Sequence, residues 1–272
     1  MEADLKTLPV PHGDAAPAMP AQRAAALRRD AVRAALPCLL ALTVAASAQA
    51  FGAGLGPWFC VQAVAVFGLV FAGVLQALPA HSPHTRFGAA NRLTLVRLAL
   101  IALLAAGVGA QPVQADALAW WTIVVATLAA LLDALDGPLA RAQGLASAFG
   151  ARFDMECDAL LVLVLSLLVV GFGKAGAWVL AAGLMRYAFV LAGMAWPWIA
   201  RPLAPSLRRK TVCVVQITGL IVCLGPVIAL PWSRAIAALS LAALSASFAA
   251  DLAWLAARRP RRSATLPAQP RR

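Results

Sequence analysis

Five of the eleven acidic residues in this 272-residue chain fall between Asp133 and Asp158, where one very apolar segment ends and the next begins. Carboxylates at membrane depth are costly unless paired, wetted or bound to cations, so a cluster of them at one boundary suggests a site. Asp133 and Asp136 are spaced i,i+3 and Asp154 and Asp158 i,i+4, which puts each pair on one face of a helix. Two antiparallel helices joined through Gln143-Gly144 can then present four carboxylates to one another, with Gly137 and Pro138 ending or bending the first helix. Glu156 lies about 200° around its helix from Asp154 and stands apart from the group. Hard oxygen donors without His or Cys favour Mg2+ or Mn2+ over zinc, and such ions complete their shells with substrate phosphates. The chemistry suggested is displacement at a diphosphate, in which two ions about 3.5–4 Å apart clamp the attacking and leaving oxygens.

Written as a pattern, the segment is D-x2-D-G-x2-A-R-x8-G-x3-D-x3-D, with Asp133, Asp136, Gly137, Ala140, Arg141, Gly150, Asp154 and Asp158 at its fixed positions. It resembles the signature of the CDP-alcohol phosphotransferases, also called CDP-alcohol phosphatidyltransferases, at every fixed position. The resemblance implies that Asp133, Asp136 and Asp154 are metal ligands, and that Asp158 completes the metal site and deprotonates the acceptor hydroxyl. It further implies that Gly137, Ala140, Arg141 and Gly150 surround the CDP moiety, small residues admitting the nucleotide and the arginine balancing diphosphate charge. Asn91-Arg-Leu-Thr94-Leu-Val-Arg97 is similar to the family's N-terminal element, in which Asn and Thr bind the cytidine end. The same residues also read as a helix cap with snorkelling arginines. The reaction implied is transfer of a phosphatidyl group from CDP-diacylglycerol to an alcohol with release of CMP, dependent on Mg2+ or Mn2+, in a family where homodimers are common.

Further cations suggest where an acceptor would bind. Arg186 lies inside an apolar span, where its burial must be compensated either by a substrate phosphate or by an ion pair, with Asp251 as the partner. Ser206-Leu-Arg208-Arg209-Lys210-Thr211 is similar to the family's basic G-K-x-K-T stretch but lacks its glycine. Arg186, Arg208, Arg209 and Lys210 therefore suit a phosphorylated acceptor such as glycerol 3-phosphate, taken first, or inositol phosphate, before serine, choline or a lipid alcohol, although the same cluster also serves simply to orient the chain. Trp58, Trp178, Trp196, Trp198 and Trp232 sit near span ends and read as interface anchors. The five cysteines lack paired spacing and suggest no disulfide framework.

The elements that must position these residues are membrane helices. A chain that is 62% hydrophobic and 12% charged, with a mean hydropathy of +0.82, has more apolar surface than a soluble domain of this size can bury. Eight apolar runs come near the roughly 20 residues needed to cross a bilayer: 33–51, 58–78, 93–110, 117–135, 157–173, 178–200, 212–230 and 235–256. With the N-terminus cytoplasmic, nearly all the cations fall on one face, leaving Lys174 and Arg234 on the other, as the positive-inside rule expects for eight crossings. The net charge of +12 then reads as orientation near anionic lipid rather than nucleic-acid binding. The fold class expected is all-α, a polytopic membrane bundle. It divides into a disordered cytoplasmic tail (1–32), an N-terminal transmembrane hairpin (33–80), a six-helix catalytic core (88–257) and a basic cytoplasmic tail (258–272). Localisation is a bacterial-type inner membrane, with the site and both termini cytoplasmic.

Two rival functions share parts of this pattern. A Mg2+-dependent membrane prenyltransferase also binds a diphosphate through aspartates, but its motifs lie on well-separated helices. A transporter could use intramembrane Asp133, Asp154 and Arg186 as an ion path, yet no duplicated halves or paired broken helices are visible in the sequence.

Overall fold

The computed structural model describes residues 21–81, 87–110, 115–142, 147–201, 203 and 206–258; within its helices, the side chains of 79–81, 115 and 134–142 lie outside that description. Eight α-helices follow one another: α1 (Ala21–Gly52), α2 (Trp58–His81), α3 (Ala89–Ala105), α4 (Ala115–Ala142), α5 (Ala148–Gly171), α6 (Leu180–Ala195, entered through a 3-10 turn at Ala177–Val179), α7 (Leu207–Cys223) and α8 (Leu230–Ala257). No strand occurs among the described residues. The all-α bundle read from the sequence is the fold observed.

Five of these helices are long and apolar enough to cross a membrane: α1, α2, α4, α6 and α8. Helices α3 and α7 have 17 residues each, and α5 carries Arg152, Asp154, Glu156 and Asp158 in its first half. Outward-facing Leu40, Leu69, Met194 and Leu239 are 68–78% exposed, which suits hydrocarbon and not water. The protein is an integral membrane protein.

Helices α3 and α5 sit at the centre. Leu95, Leu98, Ile101, Ala102 and Leu104 of α3 are buried, as are Leu161, Val162, Val164, Leu165, Leu168 and Val169 of α5, the broad apolar faces of helices flanked by several others. Helices α1, α2, α4 and α5 pack on α3, while α6 and α7 pack on α5, and α8 lies along α7. Small residues set the closest crossings. A Cβ on Gly183 of α6 would stand 2.5 Å from the Leu163 Cα of α5, and one on Gly219 of α7 would stand 3.2 Å from the Ser240 Cβ of α8.

Helix α1 begins at Ala21, well before the apolar run at Arg33, so residues 21–32 are helix rather than tail. Contacts to the rest of the molecule account for this extension. Asp30 accepts a 2.9 Å bond from the Phe87 amide and pairs with Arg92 at 3.1 Å, and Arg28 donates to the Leu75 carbonyl. The turn into α2 is closed by Gly54 at φ 65°, which lets the Leu55 amide reach the Ala50 carbonyl at 2.8 Å. At the far end, the Lys174 ammonium donates to the carbonyls of Gly225 and Ile228 at 2.7 and 3.0 Å, tying the turn after α5 to the turn between α7 and α8.

Candidate active site

The connection from α4 to α5 is short, and Ser147 caps α5 by accepting a 3.0 Å bond from the Gly150 amide. Phe87 stacks at an angle on Phe149, and Phe149 on Phe153, with ring centroids 6.4 and 6.0 Å apart, so the start of α5 is held against the entry to α3. These constraints bring three of the four expected aspartates together. Asp133, Asp154 and Asp158 each offer a carboxylate oxygen, and those oxygens all lie within 4.8 Å of one another. Their side chains are 30%, 38% and 25% exposed, so the group is sheltered but open on one side. Asp136, Gly137, Ala140 and Arg141 belong to α4, and their side chains lie outside the described residues. Helix α4 does not end at Gly137 and Pro138 but runs through them to Ala142. A proline removes one backbone donor, which a helix tolerates where water or neighbouring groups can satisfy the freed carbonyl.

A residue that sequence reasoning left among snorkelling arginines turns out to sit at the centre. Arg97 of α3 is fully buried; its guanidinium donates to Asp154 at 2.5 Å, pairs with Asp133 at 2.7 Å and engages Asp158. The signal that could have found it is its spacing: Asn91, Thr94 and Arg97 stand three apart on one stripe of α3. Three carboxylates meet one guanidinium, so acids outnumber the cation among these contacts. All the donors are hard oxygens, and a cationic group already sits among them, so the set fits a divalent cation.

Asn91 and Gly150 face each other near the starts of α3 and α5. A Cβ on Gly150 would meet the Asn91 Oδ1 at 2.8 Å, so only glycine leaves the asparagine where it is. The Asn91 side-chain amide donates to the Phe87 carbonyl at 2.5 Å, and the buried Thr94 hydroxyl donates to the Ala90 carbonyl at 3.1 Å.

The arginines expected at an acceptor site have carboxylate partners. Arg186 of α6 pairs with Glu156 at 2.6 Å, not with Asp251. The reason is azimuthal: Glu156 points about 200° away from the other carboxylates of α5, toward α6. Asp251 instead pairs with Arg208 and, at 3.5 Å, with Arg209, and Arg208 also donates to the Ser247 carbonyl and hydroxyl at 2.6 Å. Lys210 is exposed on the same end of α7. Trp58, Trp178, Trp196 and Trp232 are largely exposed, in keeping with anchoring.

A family model described as CDP-alcohol phosphatidyltransferase matches residues 87–248, more than half of the chain, from the segment before α3 into α8. The comparisons with curated proteins and with solved structures give no match.

Proposed function

Because the chain belongs to the CDP-alcohol phosphatidyltransferase family, a group of membrane transferases that act on substituted phosphate groups, we propose that it moves the phosphatidyl group of CDP-diacylglycerol onto a small phosphorylated alcohol, glycerol 3-phosphate first, and releases CMP. The observation that carries this reading is the convergence of Asp133, Asp154 and Asp158 around one guanidinium at the family's motif.

In this reading Asp133, Asp136, Asp154 and Asp158 hold Mg2+ or Mn2+, and two ions are in keeping with a diphosphate. Bound there, a divalent cation offsets negative charge on the diphosphate and on the departing CMP. Asn91, Thr94, Gly137, Ala140, Arg141 and Gly150 seat the CDP end, and the tight approach of Gly150 to Asn91 supports a backbone-lined slot. Asp158 is the catalytic base. Arg97 engages its Oδ1, and Oδ2 takes the proton from the acceptor hydroxyl. As that proton leaves, the hydroxyl oxygen bonds to the lipid-side phosphorus, the bond from phosphorus to the bridging oxygen breaks, and CMP departs with that oxygen. Arg97 is a positioning residue, keeping the carboxylates ionised and aimed while the substrate is oriented.

The acceptor reading rests on Arg209 and Lys210: Glu156 pairs with Arg186, Asp251 is shared by Arg208 and Arg209, and Lys210 is exposed beside them. Basic residues at the ends of α1, α3 and α7 support a cytoplasmic site in an inner membrane, with both termini on that side. The core at 88–257 carries the chemistry, and the hairpin at 33–80 anchors it. The test is a panel of acceptors incubated with CDP-diacylglycerol, read by CMP release and lipid chromatography. Glycerol 3-phosphate is expected to be used in preference to serine or choline. Exchange of Arg209 and Lys210 for Gln should raise its KM about tenfold with little change in kcat. CMP release with serine but none with any phosphorylated alcohol would overturn the acceptor assignment, and release with no acceptor at all would overturn the transfer.

A further inference from the structure

A groove of about 710 Å³ runs along the outer surface between α1 and α3, away from the aspartates. On α3 it is lined by Arg92, Val96, Ala99 and Leu103, whose stripe lies about 120° around the helix from Arg97. The groove owes its depth to small residues on α1, with Ala34, Ala41 and Ala45 facing the larger side chains of α3. Its two ends differ in chemistry. Ala45 and Leu103 close one end with hydrocarbon, whereas Asp30, Arg33 and Arg92 surround the other. Asp30 is already paired with Arg92 at 3.1 Å, so the two arginines leave one positive charge at the mouth, and Arg33 and Arg92 are both solvent-exposed.

From Asp30 to Ala45 the groove spans about 22 Å at helical rise, close to the depth of one leaflet including its headgroups, about 20–22 Å. We propose that this groove binds one anionic phospholipid, its phosphate at Arg33 and Arg92 and one acyl chain laid along Cys38 and Ala41 of α1 and Ala99 of α3. A net positive mouth over an apolar trough complements a lipid that carries a net negative head, and distinguishes it from a zwitterionic one. One wall of the site, α1, precedes the family's matched region and the other, α3, lies within it, and the site stands whether or not the transfer reaction does.

The test uses the full-length protein in mild detergent, titrated with phosphatidylglycerol or phosphatidylcholine of identical chains and read by native mass spectrometry. The wild-type protein is expected to retain one phosphatidylglycerol in preference to phosphatidylcholine. Arg33→Gln should weaken that retention about fivefold, the effect of one cation at an anionic surface. Ala41→Phe, which fills the trough and leaves the mouth intact, should displace the lipid. Labelling of Cys38, inside the groove, should slow when phosphatidylglycerol is bound. Equal retention of the two lipids by the wild type, or unchanged retention in both variants, would overturn the proposal. Efficient Cys38–Cys38 cross-linking between two chains in phosphatidylglycerol would also overturn it, since a second copy would then cover the groove.

Discussion

Arg97 determines what the acidic motif looks like in the folded chain. Its guanidinium is fully buried, whereas the three carboxylates it meets are each about a quarter to two-fifths exposed. Deleting the cation would leave three carboxylates within 4.8 Å of one another without the guanidinium that all three meet. Arg97→Gln is therefore expected to cost on the order of 2 kcal/mol of stability in metal-free buffer, less than for a fully enclosed pair because water reaches the acids. Added Mg2+ should restore much of that loss, and Arg97→Lys should fall between the two. Thermal unfolding in detergent with and without Mg2+ would measure this, and an Arg97→Gln protein as stable as the wild type without metal would contradict the ion-cage reading. The aspartates were legible because their pairwise spacings need only helical geometry. Arg97 was not, since its sequence position fits a snorkelling side chain equally well, and only the azimuth of α3 relative to α4 and α5 turns it inward. The same limit applies to Arg186. Its need for a partner was legible from its depth, but whether Glu156 or Asp251 supplied it depended on which helices α6 lies between.

Between elements, packing is governed by a few positions where a helix carries no side chain. Gly183 lets α6 approach Leu163 of α5 so closely that any Cβ would collide with backbone, while Gly68 in α2 has open space around it. Gly183→Ala is expected to destabilise the protein by about 1–3 kcal/mol through overpacking, and to loosen the Arg186–Glu156 pair across the same crossing. Gly68→Ala, with nothing to displace, should be neutral or slightly stabilising through higher helix propensity. Paired thermal-unfolding curves would distinguish them, and equal effects would show that the α5–α6 contact does not depend on the glycine. The number and order of helices were legible from hydropathy, because apolar runs and polar breaks define segments. Their ends were less so. Helix α1 extends back to Ala21 through polar residues because Asp30 and Arg28 find partners on Phe87, Arg92 and Leu75, contacts that hydropathy does not encode.

For the whole molecule, chemistry and solvent are arranged along one axis. An apolar exterior and five long apolar helices place the chain in a bilayer, and two central helices carry a charged group to the basic end of the bundle. At the opposite end Lys174 spends its charge on the carbonyls of the turn between α7 and α8. A membrane enzyme built this way can meet a lipid substrate laterally and a polar acceptor from water, which is the geometry a phosphatidyl transfer needs. The most direct test is CMP release from CDP-diacylglycerol by the purified protein in lipid vesicles, with the favoured acceptor present, compared with and without Mg2+ and for Asp154→Ala and Asp158→Ala. The expected result is release that requires Mg2+ and falls at least about a hundredfold in each variant. Full metal-independent release, or full activity in either variant, would contradict the account.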